Sequence, residues 1–134
     1  MKSKHEAYES FFNENSTIAL TDIEAIHFML ISCAQKREAL TYSAALNRLG
    51  HDFTRPKMRL LCRALDQIDS NARALGKPEL AVLIVKKSNN LPGQGWWSGQ
   101  AQQFKYNGPC TGSEAVNFVH QCQALAFDYW ETAP

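Results

Sequence analysis

The sequence predicts an α+β fold: a mostly helical single domain over residues 1–134, with a winged-helix-like centre at 40–97 and one β-hairpin. Three observations carry that prediction. The 134 residues are 45% hydrophobic and 20% charged, with seven glycines and five prolines, which suits one globular domain and excludes disordered, collagen-like and fibrous chains. Apolar residues recur at helical spacing in several segments that begin and end with capping chemistry. One short aliphatic run is followed by a polar, glycine-rich turn and then by aromatics, the pattern of a hairpin. No internal repeat, low-complexity tract or long linker divides the chain.

Taken in order, residues 5–13 form a short first helix with Tyr8, Phe11 and Phe12 on its apolar side. Thr21-Asp22-Ile23-Glu24 reads as a capping box, in which hydroxyl and carboxylate each satisfy a backbone N–H at a helix start. Ile23, Ile26, His27, Leu30 and Ala34 follow at helical spacing as far as Lys36 or Arg37. A hydroxyl cap at Thr41 opens a short helix that Gly50 closes, and His51-Asp52-Phe53 makes a turn. The next helix has Thr54 as N-cap, Pro56 in the first turn and a stop at Gly76 and Pro78. Met58, Leu61, Leu65, Ile68, Ala72 and Leu75 fall on one face of it. Arg55, Arg59, Arg63, Gln67, Ser70 and Arg73 fall on the other, so one face is core and the other wet and positive.

Residues 79–87 then read as a strand, 88–95 as a turn, and Trp96-Trp97 as the start of a returning strand. Residues 98–110 are loop-like. A final helix begins near Thr111 or Ser113 and carries Ala115, Val116, Val119, Cys122, Leu125, Ala126, Tyr129 and Trp130 at helical spacing.

Fourteen Lys and Arg against 13 Asp and Glu leave a formal charge of +1, which names no partner. Its distribution is more informative. Residues 1–35 carry a net −3, residues 36–87 a net +6 from eleven basic and five acidic side chains, and residues 88–134 a net −2. The longest apolar runs, such as residues 80–85, fall far short of the roughly 18 to 20 residues that cross a bilayer, so no membrane span is expected. The N-terminal stretch turns acidic and polar where a signal peptide needs an apolar core, which makes a cytoplasmic location the expectation. Cys33, Cys62, Cys110 and Cys122 suit reduced thiols, not a disulfide framework. Neither they nor His5, His27, His51 and His120 show zinc-ligand spacing, so no metal site is expected. No phosphate loop, dinucleotide turn or nucleophile elbow is present, and no cofactor is expected.

Short helix, tight turn, longer basic helix, strand, glycine-rich turn and strand is the order of a winged helix-turn-helix, whose second helix enters the DNA major groove. Arg55, Arg59 and Arg63 line one helical face over about 12 Å at 1.5 Å per residue. Their planar guanidiniums suit bidentate contacts to phosphate or a guanine edge. Lys86, Lys87, Asn89 and Asn90 supply contacts from the wing. The bland counterpart is a solvated helix face on which Asp66 pairs with the arginines. Trp96 and Trp97, adjacent on a strand, point to opposite faces. One of them is then an exposed platform for a base or an interface anchor, or both are core on either side of a covered sheet. Cys110, just ahead of the last helix, is placed where a helix N-terminus stabilises a thiolate. No histidine is positioned beside it by sequence, and a plain loop cysteine is the alternative.

The combination of Thr41-Tyr42-Ser43, Leu49-Gly50, Gly76-Lys77-Pro78, the run 80–85 and Pro92-Gly93-Gln94-Gly95-Trp96 resembles a group of small, uncharacterised bacterial proteins sharing a Tyr-Ser…Leu-Gly…Pro-Gly-x-Gly-aromatic pattern. That resemblance covers less than half of the chain and implies no activity. A likeness to the DNA-binding half of the alkyltransferases stops at a Thr-Tyr opening and a helix-turn-helix. Their Pro-Cys-His-Arg site is missing, so alkyl transfer is not implied. The leading expectation is therefore binding of duplex DNA or another nucleic acid. The rival is a protein-interaction module or homodimer formed through the terminal helices and exposed aromatics, and a small enzyme using Cys110 comes third.

Overall fold

The computed structural model describes residues 17–99 and 106–132; the expected helix at 5–13 lies outside them. Helices form where local capping chemistry places them. Helix α1 (Ile23–Gln35) starts from Asp22, whose carboxylate accepts the Ala25 N–H at 3.0 Å. The cap is thus one residue later than Thr21, because the carboxylate at 22 reaches the orphan amide directly. α1 ends through Arg37 in the left-handed region (φ 55°), with the Glu38 N–H bonded back to the Cys33 carbonyl. Strand β1 (Leu40–Thr41) leads into α2 (Tyr42–Arg48), capped by the Thr41 hydroxyl on Ala44 N–H at 3.1 Å. Helix α3 (Arg55–Ala74) is capped by Thr54 on Lys57 N–H and stops at Gly76, whose φ of 69° lets Lys77 N–H reach the Ala72 carbonyl. The last helix, α5 (Ser113–Thr132), begins at Ser113 as its sequence indicates.

The hairpin does not form. Residues 81–83 make a 3₁₀ turn, and only Ile84–Val85 extend as strand β2. β2 pairs with β1 in parallel, Leu40 opposite Ile84 and Thr41 opposite Val85. Two parallel strands need a crossover, and here α2 and α3 supply it. Every residue from 80 to 85 is buried, so the continuous apolar run reports burial and not a long strand. The chain then closes a small loop in which Lys86 N–H bonds the Leu91 carbonyl and Asn90 N–H the Lys86 carbonyl. Trp96-Trp97, expected on a returning strand, lie instead in the one-turn helix α4 (Gln94–Ser98). Adjacent helical residues diverge by about 100° and not 180°, and both rings turn inward.

The fold is therefore mostly helical with a two-stranded parallel sheet. α1 packs on α3 and α5, and Ile26, Met29, Leu30, Leu46, Leu61, Ile68, Leu83 and Val119 form the fully buried centre. Arg37 joins the end of α1 to the end of α5 through Asp128 at 3.0 Å and Glu131 at 2.5 Å. Among the described residues no helix is long and apolar enough to cross a membrane.

The apolar face of α3 is as expected at Leu61, Leu65, Ile68 and Ala72, while Leu75 lies 69% exposed beyond the last turn. Asp69 lies fully buried on that same face. Its Oδ1 accepts the Leu80 N–H at 2.8 Å and the Ala81 N–H at 3.0 Å, while Gln123 of α5 donates to the Val82 carbonyl at 3.0 Å. These side chains satisfy backbone groups that a two-residue strand leaves unpaired. Burial pushes the Asp69 carboxyl from 3.8 up to about 7, against the lowering effect of the two amides; the nearby Glu79 also raises it.

Because folded Asp69 holds its proton where the unfolded chain releases it, its contribution to stability is complete below pH 3.8 and is lost as pH rises to about 7. Asp69→Asn keeps an oxygen for both amides and removes the titration. Urea denaturation is expected to show wild-type stability declining relative to Asp69→Asn across that window and running parallel above it. Asp69→Ala, which strands two buried amides, is expected to be about 2–4 kcal/mol less stable than Asp69→Asn at any pH. A pH-independent difference between wild type and Asp69→Asn contradicts the buried, protonated carboxyl.

Candidate nucleic-acid interface

The first half of α3 emerges from the connector that follows α2, and the two helices pack against each other. Thr54 caps it and Pro56 occupies its first turn. Leu61, Ala64 and Leu65 turn one side into the core, which leaves Arg55, Arg59 and Arg63 exposed on the opposite side. Among the described residues none of the three forms a salt bridge. The carboxylates that bind basic side chains do so elsewhere: Asp128 and Glu131 hold Arg37, Glu38 lies 3.8 Å from Arg48, and Glu79 holds Arg73 at 2.9 Å. Lys77 sits over the Trp130 ring, 5.6 Å from its centroid. The described cations outside such pairings are Lys36, Arg55, Lys57, Arg59, Arg63, Lys86 and Lys87. Six of these seven lie on the first half of α3 or directly after β2.

Lys86, Lys87, Asn89 and Asn90 are all exposed, on the loop that stands where a hairpin wing was expected. Asn89 folds back to accept the Leu91 N–H at 3.0 Å, and Asn90 takes a positive φ of 59°. Those two residues shape the loop. Lys86 comes against α3, since it lines a cleft together with Met58, Cys62 and Asp66 on the flank next to the arginines. The structure thus brings Arg55, Arg59 and Arg63 onto one ridge, with Lys86 on its flank.

Trp96 and Trp97 are not exposed platforms or anchors. Each is only 6% exposed; the rings meet edge to face at 4.9 Å, and both pack near Phe118 of α5. The Trp97 Nε1 donates to the Pro92 carbonyl at 3.1 Å, while the Trp96 Nε1 is buried with no partner among the described residues. Cys110 is exposed, and no described base is hydrogen-bonded to it. Burial pushes the thiols of Cys33 and Cys122 up to about 11.

Sequence reasoning missed two clefts that share Trp96 as a wall. One, of about 430 Å³, runs beside α3 between Tyr42, Met58, Cys62, Lys86 and Gly95. The other, of about 600 Å³, lies between the end of α3 and α5, where the Arg73–Glu79 pair and Lys77 meet Cys122, Leu125 and Tyr129. The first is assembled by a close contact. Tyr42 Oη accepts the Gly93 N–H at 3.0 Å, and a Cβ on Gly93 would stand 2.9 Å from that oxygen. The signal in the sequence is the pairing of Tyr42 with the distant Pro92-Gly93-Gln94-Gly95 string, but nothing local shows that they meet.

No family model matches this chain, and neither does any curated protein or solved structure. The site therefore stands on its own chemistry.

Exposure orders the four thiols. With iodoacetamide at neutral pH, Cys110 is expected to be alkylated first, half-buried Cys62 more slowly, and Cys33 and Cys122 only on unfolding, as read by peptide mass spectrometry. Equal labelling of Cys33 and Cys110 in the native protein contradicts the packing described above.

Proposed function

We propose that the protein binds nucleic acid through the exposed ridge of α3, with Arg55, Arg59 and Arg63 as the principal phosphate and base-edge contacts and Lys86 and Lys87 as flanking phosphate contacts. In this reading the centre of the fold acts as a helix-turn-helix of winged-helix-like arrangement. α2 supports α3, and the loop at 86–91 takes the place of a hairpin wing. One observation carries the reading: three exposed guanidiniums, one helical turn apart, form no salt bridge with a carboxylate among the described residues, while acids elsewhere hold the other arginines. Guanidiniums in that spacing match a line of phosphates, and each neutralised phosphate releases counterions.

A second reading, self-association or protein binding, draws on the exposure of Leu125 at 55% and Tyr129 at 37% on α5. It predicts sedimentation as a dimer with no affinity for oligonucleotides.

Fluorescence anisotropy with a labelled duplex distinguishes the two. Binding is expected to weaken steeply with salt, and the Arg55/Arg59/Arg63→Ala variant to lower the slope of log K against log salt by about 2–3. Because the side chains are exposed and alanine is a strong helix former, each substitution is expected to change stability by no more than about 0.5 kcal/mol. Equal affinity of wild type and variant, or binding insensitive to salt, defeats the proposal.

A further inference from the structure

We propose that the cleft between α3 and the Pro92-Gly93-Gln94-Gly95 segment receives one unpaired nucleobase of the strand whose phosphates lie on the α3 ridge. The inference rests on the nucleic-acid reading and narrows it. The target is then a nucleic acid with a base outside the double helix, because a base stacked and paired in a duplex cannot enter a side pocket.

Position is the first support. Met58, Cys62 and Asp66 line the cleft from the flank of α3 that borders Arg55 and Arg59. At about 100° per residue, Asp66 lies about 20° from both Arg55 and Arg59 around the helix, and Cys62 and Met58 lie about 20° and about 60° from Arg55 on the side away from Arg59, so a backbone lying on the Arg55 end of the ridge passes the mouth of the cleft. Shape and lining agree with this. Its volume of about 430 Å³ falls in the usual small-molecule range of about 300–1,000 Å³. Half-buried Met58 and Cys62 line it together with the few exposed atoms of Tyr42 and Trp96, a mainly apolar lining that suits a base, and Lys86 is a further lining residue.

Gly95 is the independent observation. It is the second residue of α4, where glycine weakens a helix relative to alanine. Its φ is not among the positive values, and an added Cβ would meet nothing within 4 Å. Gly93, two residues earlier, is required by its contact with Tyr42. Among the described residues neither a steric contact nor a positive φ requires glycine at 95. It lines the cleft, and a missing side chain there leaves the backbone open to close approach by a ligand.

The experiment compares three labelled DNAs by anisotropy: a blunt duplex, the same duplex with a short single-stranded extension on either strand, and that extended duplex with the extension made abasic. Wild type is expected to bind the intact extension roughly tenfold or more tightly than the abasic one, the effect of one stacked base. Gly95→Leu, whose side chain fills the cleft without meeting protein atoms at its Cβ, is expected to melt at or above the wild-type temperature. It should bind both extended duplexes as wild type binds the abasic one. If wild type binds intact and abasic extensions equally while still binding the duplex with steep salt dependence, the base pocket is refuted and the arginine ridge stands. If it binds none of the three, both fail. A Gly95→Leu protein that is correctly folded and still prefers the intact extension also refutes the pocket.

Discussion

The carboxylate of Asp69, buried on α3 and bonded to the amides of Leu80 and Ala81, is the constraint on which the rest of the structure depends. It fixes where the chain lands after leaving α3. From that point the 3₁₀ turn directs Ile84–Val85 alongside Leu40–Thr41, and the parallel pair in turn sets the place of the 86–91 loop and of the tryptophan helix beyond it. A two-residue strand offers few ladder bonds, so side chains from α3 and α5 complete the backbone of 80–83. The arrangement has an electrostatic consequence. Burial of the Asp69 carboxyl favours its neutral form, and only an acceptor for backbone amides justifies placing an acid there.

Charge is divided between two tasks in this fold. Carboxylates of α5 and of the chain after α3 hold Arg37 and Arg73, which tie helix ends together, and Glu38 stands near Arg48. The exposed pairs at Arg37 and Arg48 contribute modestly to stability, whereas Glu79 is buried and Arg73 offsets the cost of its charge there. The arginines on the first half of α3 take no part in such pairing. Among the described residues their row forms no ion pair that holds the fold together, which leaves it facing solvent.

The parts of this architecture legible in the sequence are those decided within one helical turn. Thr41 and Thr54 cap their helices, and Gly50 and Gly76 end them, because a cap needs only an amide two or three residues away. The exposure of Arg55, Arg59 and Arg63 was legible for the same reason, as helical spacing opposite an apolar face. What was not legible depends on distant residues. Asp69 meets partners eleven and twelve residues ahead, and in the sequence it is only a charge among apolar neighbours. The run at 80–85 announced burial, which a strand and a 3₁₀ turn satisfy equally well. The returning strand placed at Trp96 and Trp97 followed from that reading; the burial of both, one of the two alternatives left open, is reached through a helical turn and not through two faces of a sheet. The cleft beside α3 was invisible because its walls come from residues 42, 58, 62, 86, 95 and 96.

Ridge and cleft stand in opposite relations to stability. The arginines are neutral to the fold, so their presence is explained by solubility as readily as by binding, and exposure alone does not choose between the two. Gly95 is different, because glycine at a helical position is less favourable than alanine and, among the described residues, no steric contact or positive φ requires it. A residue that weakens its own element without relieving a clash points to something that approaches from outside. The adjacency of that opening to a row of uncommitted guanidiniums joins an apolar recess to a cationic line, the two surfaces a nucleotide presents its base and its phosphate to. Neither feature alone favours nucleic acid over a solvated surface or a small hydrophobic ligand; the proposed reading rests on their shared flank on α3.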